Sequence, residues 1–303
     1  MEATQKKSAL SVNMTEGSLW KNMLLFSLPL MLTQVLEVLF NLSDVAIAGK
    51  FADYRALGAV GSTTLLVSLF TGLLIGMGSG VNVAVARGLG MGDRQRVEKT
   101  VHTSFVLCAA IGVVLCLICV LLARPMLTLL HTKDELMDGA VLYLKIYALS
   151  MPAMAVYNCG NGIMSAVGDT RRPLLYLSVA GVLNVVLNLF FVIICKMDVA
   201  GVALASIISQ YVSAALILQA LLRCKDIYAL HPGKLRLDPE LTKDILKLGM
   251  PSGLQNVIFQ FANSFVQMGV NSFDATMVAG NSAATNADAM VYDVMAAFYT
   301  ACG

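Results

Sequence analysis

Long apolar runs recur along this chain, and short polar turns separate them. Covering the hydrocarbon core of a bilayer takes about 20 apolar residues in a helix. The pattern predicts spans at 20–47, 57–86, 98–123, 136–167, 173–195, 199–223 and 245–272. An eighth run begins near 279 and is cut at Gly303. The longest polar gap, 224–244, holds H-P-G-K and then L-D-P-E-L-T-K. There Asp238 suits a helix cap, Pro239 the first turn and Glu240 the helix dipole.

Composition agrees with the pattern. Hydrophobic residues make up 57% of the chain and charged residues 13%, with a mean hydropathy of +0.75. A soluble domain carries about 25% charged residues, so this chain is expected to be an all-α, polytopic membrane protein. The first 18 residues are polar and the first apolar run contains carboxylates, which excludes a signal-peptide pattern. Most of the seven cysteines fall in apolar runs, where Cys acts as a small hydrophobe. Cys116 and Cys119 form a C-x-x-C with no histidine or second pair nearby, which argues against metal or redox chemistry.

Net charge is +2, but its distribution is uneven. Fifteen Lys and Arg fall in the N-terminal segment and at 87–99, 171–172 and 223–247; five fall in the alternate set of turns. The positive-inside rule puts the N-terminus and the 224–244 loop in the cytoplasm. Six spans between those two segments are consistent with that topology.

The chain also echoes itself. L-F-S-L-P-L-M-L-T-Q (25–34) resembles L-K-L-G-M-P-S-G-L-Q (246–255), matching Pro29 with Pro251, and further on Asn41 with Asn263. Copies six spans apart enter the membrane from the same side, a parallel repeat of the kind secondary transporters use. The expected organisation is a cytoplasmic segment 1–19, a six-helix lobe 20–223, an inter-lobe loop 224–243 and the start of a second lobe 244–303. A second lobe of equal size does not fit in the remaining length, so a truncated transporter is expected.

Polar residues within the apolar runs are the candidate chemistry. On a helix, Gln34, Glu37, Asn41 and Asp44 share one face. A charge at the bilayer centre costs about 2.5–3.5 kcal/mol, so this stripe must face a cavity or a partner, where a cation binds or a proton is carried. Gln34 and Asn41 can equally staple helices by hydrogen bonds. Asn184 and Asn188, one turn apart in the fifth span, share a face; their carbonyls can ligate Na⁺ or bond a protonated carboxyl. Ser206, in the small-residue run A-G-V-A-L-A-S, offers a hydroxyl. Tyr157 and Asn158 make the fourth span partly polar; with Gln34, Asn41, Gln255 and Gln260 they are candidate lining for a substrate cavity. Pro29, Pro152 and Pro251 lie within spans and are candidate hinges. The loops A-R-G-L-G-M-G-D-R-Q-R-V (86–97) and S-A-V-G-D-T-R-R-P-L (165–174) each have a Gly-Asp turn before basic residues, which is a structural arrangement; G-L-G-M-G lacks the context of a phosphate loop.

These motifs together resemble the multidrug and toxic compound extrusion (MATE) family of cation-coupled antiporters. The resemblance rests on L-P-L-M-L-T-Q…N-L-S-D-V-A-I-A-G, A-R-G-L-G-M-G-D, G-D-T-R-R-P, N-V-V-L-N and L-G-M-P-S-G-L-Q. It implies a two-lobe, twelve-helix fold, of which this chain holds the six-helix N-lobe and the start of the C-lobe. Asp44 matches the family's first-span aspartate, implicated in H⁺ or Na⁺ coupling, and Asn184 a fifth-span asparagine of the same site. Asn188 stands where aspartate is often found and Ser206 where some members have threonine. Glu37 is a candidate for restoring the charge missing at 188. The implied activity is export of amphipathic, often cationic compounds in exchange for H⁺ or Na⁺. The implied setting is the plasma membrane, as a monomer when full length, with no cofactor beyond the coupling ion and no nucleic-acid partner. If Na⁺ is the ion, Asp44, Asn184 and Asn188 would hold it.

A lipid-linked glycan flippase of the same superfamily is the alternative, but it favours several intramembrane cations and only Lys145 is available. A non-transporting receptor leaves the carboxylate stripe unexplained. Enzyme chemistry is not expected: His102, His131 and His231 lie at span ends or in loops, without an H-E-x-x-H.

Overall fold

The computed structural model describes residues 54–270 and, outside them, the helical positions 23–24, 26–33, 35–36, 47, 291 and 295. Glu37, Asn41, Asp44 and Gln34 lie outside the described residues, as does most of the expected eighth span. Every regular element among the described residues is helical. In chain order they are α1 (Tyr54–Gly90), α2 (Arg94–Leu129), α3 (Asp134–Ala148), α4 (Met151–Ala166), α5 (Arg171–Leu189), α6 (Asp198–Arg223) and α7 (Pro239–Val270). A π-helical turn, Phe190–Ile194, extends α5, and a 3₁₀ turn, Pro232–Lys234, interrupts the long loop.

The helix ends follow from local chemistry. Gly92 and Gly168 sit at φ 69° and 88°, the left-handed region that suits glycine. Each reverses the chain just before an aspartate that bonds the next helix. Asp93 Oδ1 accepts the Arg96 amide at 3.0 Å, and Asp169 Oδ1 accepts the Arg172 amide at 3.2 Å. Asp238 caps α7 as expected, accepting from the amides of Glu240 at 3.0 Å and Leu241 at 3.3 Å. Several hydroxyls inside the apolar helices, Ser62, Thr63 and Ser178 among them, donate to carbonyls about one turn back, Ser62 to Gly58 at 2.7 Å.

Three elements differ from the sequence expectation. The expected span 136–167 is two helices, α3 and α4, bent by 44° at a short break. Pro152 therefore lies in the first turn of α4, where its missing N–H costs nothing, and not in mid-helix. The third span continues through Pro125 to Leu129, beyond the expected end at 123. Finally, α7 is 32 residues long and contains Pro251, but it is not among the described helices both long and apolar enough to cross a membrane. Gln255, Asn256, Gln260 and Asn263 dilute its hydropathy. Four described helices meet that test, or five units when α3 and α4 count as one.

Burial is inverted relative to a soluble protein. Leu121, Leu129 and Val182 are 75%, 78% and 67% exposed, whereas Asn188 and Ser213 are fully buried. An aliphatic exterior over an amide- and hydroxyl-containing interior is what a lipid solvent selects. Among the described residues the interior forms two large clusters and a small third one at Phe26 and Leu30. One large cluster surrounds Val60, Leu74, Leu127, Leu144 and Val202; the other holds Met77, Val85, Val101, Ile163, Leu221, Leu230 and Ile245. The second cluster joins α1, α2, α4, α6, the loop after α6 and α7 into one packed end.

Candidate functional site

The described part of the candidate site lies between α5 and α6. Val179, Val182 and Val186 point outward from α5, which turns Ala180, Asn184 and Asn188 inward. The i, i+4 spacing stacks the two amides one above the other. The side-chain N–H of Asn188 donates to Asn184 Oδ1 at 3.1 Å, and that of Asn184 donates to Ser206 Oγ at 3.4 Å. Ser206 in turn donates to the Val202 carbonyl at 3.2 Å. All three side chains are at most 5% exposed. The structure thus brings together the two α5 asparagines and the α6 serine that the sequence singled out.

This line of groups is neutral. It offers amide and hydroxyl oxygens, the hard donors that suit Na⁺ or a hydrogen-bonded proton. Neither α5 nor the buried stretch of α6 contributes a carboxylate. Any negative charge must come from another element; the candidates from the sequence, Asp44 and Glu37, are outside the described residues.

The other candidates are spread more widely. Tyr157 is 2% exposed and its hydroxyl donates to the Pro173 carbonyl at 3.1 Å. It belongs to the packed core and ties α4 to the first turn of α5, a placement different from the expected cavity wall. Asn158 donates to the Met154 carbonyl at 2.9 Å, within its own helix. Gln255 and Gln260 lie exposed on α7, away from the α5–α6 contact. Pro29 lies inside the described helical stretch 26–33, where Thr33 donates to its carbonyl at 2.9 Å.

Two features escaped the sequence reading. Asn256 donates across to the Gly72 carbonyl at 3.2 Å, pinning α7 to α1. Alongside it, Gly76 and Gly80 of α1 meet Gly253 and Gly249 of α7 backbone to backbone. A Cβ on Gly80 would lie 2.5 Å from the Gly249 nitrogen. The available signal was the four-residue glycine spacing on both helices, the small-xxx-small pattern of close membrane-helix contacts.

The MatE family model matches residues 29–190, more than half of the chain. The chain belongs to the MatE family. Among similar curated proteins, the probable multidrug resistance protein YpnP of Bacillus subtilis (strain 168) is 27% identical over 279 residues, covering 91% of this chain and 62% of the relative. The probable multidrug resistance protein YoeA of the same organism is 28% identical over 285 residues, with 91% and 60% covered. This MatE chain therefore spans about three fifths of the length of these relatives. A solved outward-facing conformation of a multidrug resistance MATE family transporter of the MOP superfamily superposes with a TM-score of 0.86 at 24% identity. It covers 98% of this chain and 66% of that one. A MATE crystal structure in the straight conformation gives 0.88 at 24%, with 97% and 66% covered. At that identity the likeness is one of fold. The fold expected from the sequence, a multi-pass helical membrane protein with part of a MATE architecture, is the fold found.

Proposed function

We propose that this protein serves as a secondary active transporter that exports amphipathic, often cationic compounds in exchange for H⁺ or Na⁺ by alternating access. We place the coupling site at Asp44 with Asn184, Asn188 and Ser206, and Glu37 as an auxiliary carboxylate. The observation that supports this most is the buried Asn188–Asn184–Ser206 line inside an otherwise apolar helix pair. The multidrug resistance names of the relatives support the same reading.

A carboxylate beside these amides supplies what coupling needs. Burial disfavours its charged form and a bound cation restores it. The group then alternates between a proton- or Na⁺-bound state and an empty one, and each state biases the lobes differently. The N-terminus and the loop after α6 face the cytoplasm in this reading, following the Lys and Arg bias.

The test is ethidium efflux from vesicles carrying the full-length protein, with pH and Na⁺ gradients imposed separately. Asp44→Asn keeps size and hydrogen bonding while fixing the charge at zero. It is expected to abolish gradient-driven efflux at unchanged membrane abundance. Normal efflux by Asp44→Asn at equal abundance sinks the assignment of Asp44. Absence of efflux under either gradient in the unaltered protein sinks the transport reading itself.

A further inference from the structure

The loop after α6 is a docked strap. Leu230 is 4% exposed within the second core cluster and its amide donates to the Leu221 carbonyl at 3.1 Å. The N-terminal turns of α2 hold the rest. Thr103 Oγ1 donates to the Arg236 carbonyl at 3.2 Å, and the Asp238 amide lies 3.4 Å from the same hydroxyl. Lys234 Nζ pairs with Glu98 Oε1 at 2.6 Å.

His102 is at the centre of this contact and is 2% exposed. Its two ring nitrogens meet backbone groups of opposite kind. Nδ1 is 2.7 Å from the Glu98 carbonyl, which can only accept. Nε2 is 3.0 Å from the His231 amide, which can only donate. Those partners fix one tautomer: the proton is on Nδ1, Nε2 accepts, and the imidazole is neutral.

We propose that His102 is a proton-operated latch on the strap joining α6 to α7. Protonation puts an N–H on Nε2, facing the N–H of His231. Two donors cannot bond, and the buried pair is left unsatisfied. The strap then lifts from α2, or the ring turns away from it. The latch is therefore closed while the ring is neutral and opens when Nε2 takes up a proton.

Charged neighbours set the competition. On α2, Glu98 favours the imidazolium, but it is held by Lys234. From the strap, Lys234 and the His231 ring, stacked at 6.0 Å from that of His102, oppose it. Arg96 of α2 is paired with Asp244 of α7 at 3.2 Å. The last turn of α1 contributes Arg87, and α4 has no charged residue. The strap precedes α7, so opening the latch frees the entry to that helix. The inference stands whether or not the chain transports.

A spin label on Gly233→Cys, an exposed strap position where a Cβ meets nothing within 4 Å, reports strap mobility. The label is placed in the full-length protein on a cysteine-free background and its spectrum followed from pH 8 to pH 5, the imidazole range of about 5 to 8. The mobile-to-immobile ratio is expected to rise about tenfold on acidification, the loss of roughly one buried hydrogen bond. In His102→Gln, which cannot titrate, the ratio is expected to be independent of pH at whatever level it takes. In His231→Gln, which keeps the backbone donor, the transition is expected to persist. A flat ratio in the otherwise unaltered protein overturns the proposal. So does a transition that survives His102→Gln, vanishes with His231→Gln or is removed by Glu98→Gln.

Discussion

Two helix contacts in this molecule are built in opposite ways. Where α1 crosses α7, glycines face glycines and the backbones touch; Asn256 adds a side-chain hydrogen bond to Gly72. Where α5 meets α6, the contact carries a directed line of amide and hydroxyl bonds. Lipid offers no hydrophobic force between helices, so close packing and polar bonding are what remain. A smooth glycine seam fixes how near two helices lie and leaves their register weakly defined. A line of donors and acceptors fixes register, because each bond is made only when its partner lies opposite. Geometry is the resource in the first contact and chemistry in the second.

The seam is the contact most easily broken. Gly76→Val puts a branched side chain against the Gly253 backbone, which has no flexible end to yield. A loss of about 3 kcal/mol is expected, at the upper end of overpacking costs. Thermal unfolding of the detergent-solubilised protein measures it. Gly61→Ala is the internal control, because a Cβ there meets nothing within 4 Å on the same helix. It is expected to shift stability by less than about 1 kcal/mol, in the favourable direction. Equal effects at the two positions would show that the backbones are not in contact.

The polar contact should respond less in stability and more in ion dependence. Asn184→Leu removes the middle of the line, with an expected cost of about 1 kcal/mol, typical of interhelical hydrogen bonds in membranes. Asn188→Asp supplies the carboxylate that the family resemblance leads one to expect there. It is expected to lower the melting temperature in Na⁺-free buffer and to recover on adding Na⁺, with a larger Na⁺ shift than the parent. A cluster that only staples helices would give Asn188→Asp no Na⁺-dependent recovery.

The contrast also explains what the sequence could disclose. Asn184, Asn188 and Ser206 stood out because amides and hydroxyls in an apolar run break the hydropathy pattern. Asp93 and Asp238 were legible as caps or turn residues because their chemistry is local. Glycines 72, 76 and 80 leave hydropathy nearly unchanged, and their meaning depends on the helix opposite. The break between α3 and α4 lies in a run that stays apolar through Leu149 and Met151, so periodicity shows no boundary. His102 looked like a histidine at a span end, because its partner is a backbone amide 129 positions away. No side-chain pattern encodes such a partner. The stripe from Gln34 to Asp44 remains a proposal, since it falls outside the described residues.

The α4–α5 turn combines both devices at small scale and gives the smallest expected effect. Gly168 supplies the left-handed backbone, and Asp169, 3% exposed, supplies the polar side chain. Its carboxylate pairs with the Arg172 guanidinium at 3.2 Å as well as with the Arg172 amide. Burial raises the Asp169 pKa above the ordinary aspartate value, while Arg172 and Arg171 pull it back only in part. A raised pKa means that the folded state binds the proton more tightly than the unfolded chain. The stabilisation from protonation is therefore fully present below the ordinary aspartate pKa and is lost as pH rises through the raised one. Asp169→Asn resembles the protonated form at every pH. Melting temperatures of the two proteins are expected to converge at acid pH and to separate in favour of Asn as pH rises through the carboxyl range. A separation in favour of Asp would show that the Arg172 pair outweighs burial. The turn would then behave as a charged clasp, a third kind of contact beside the glycine seam and the neutral amide line.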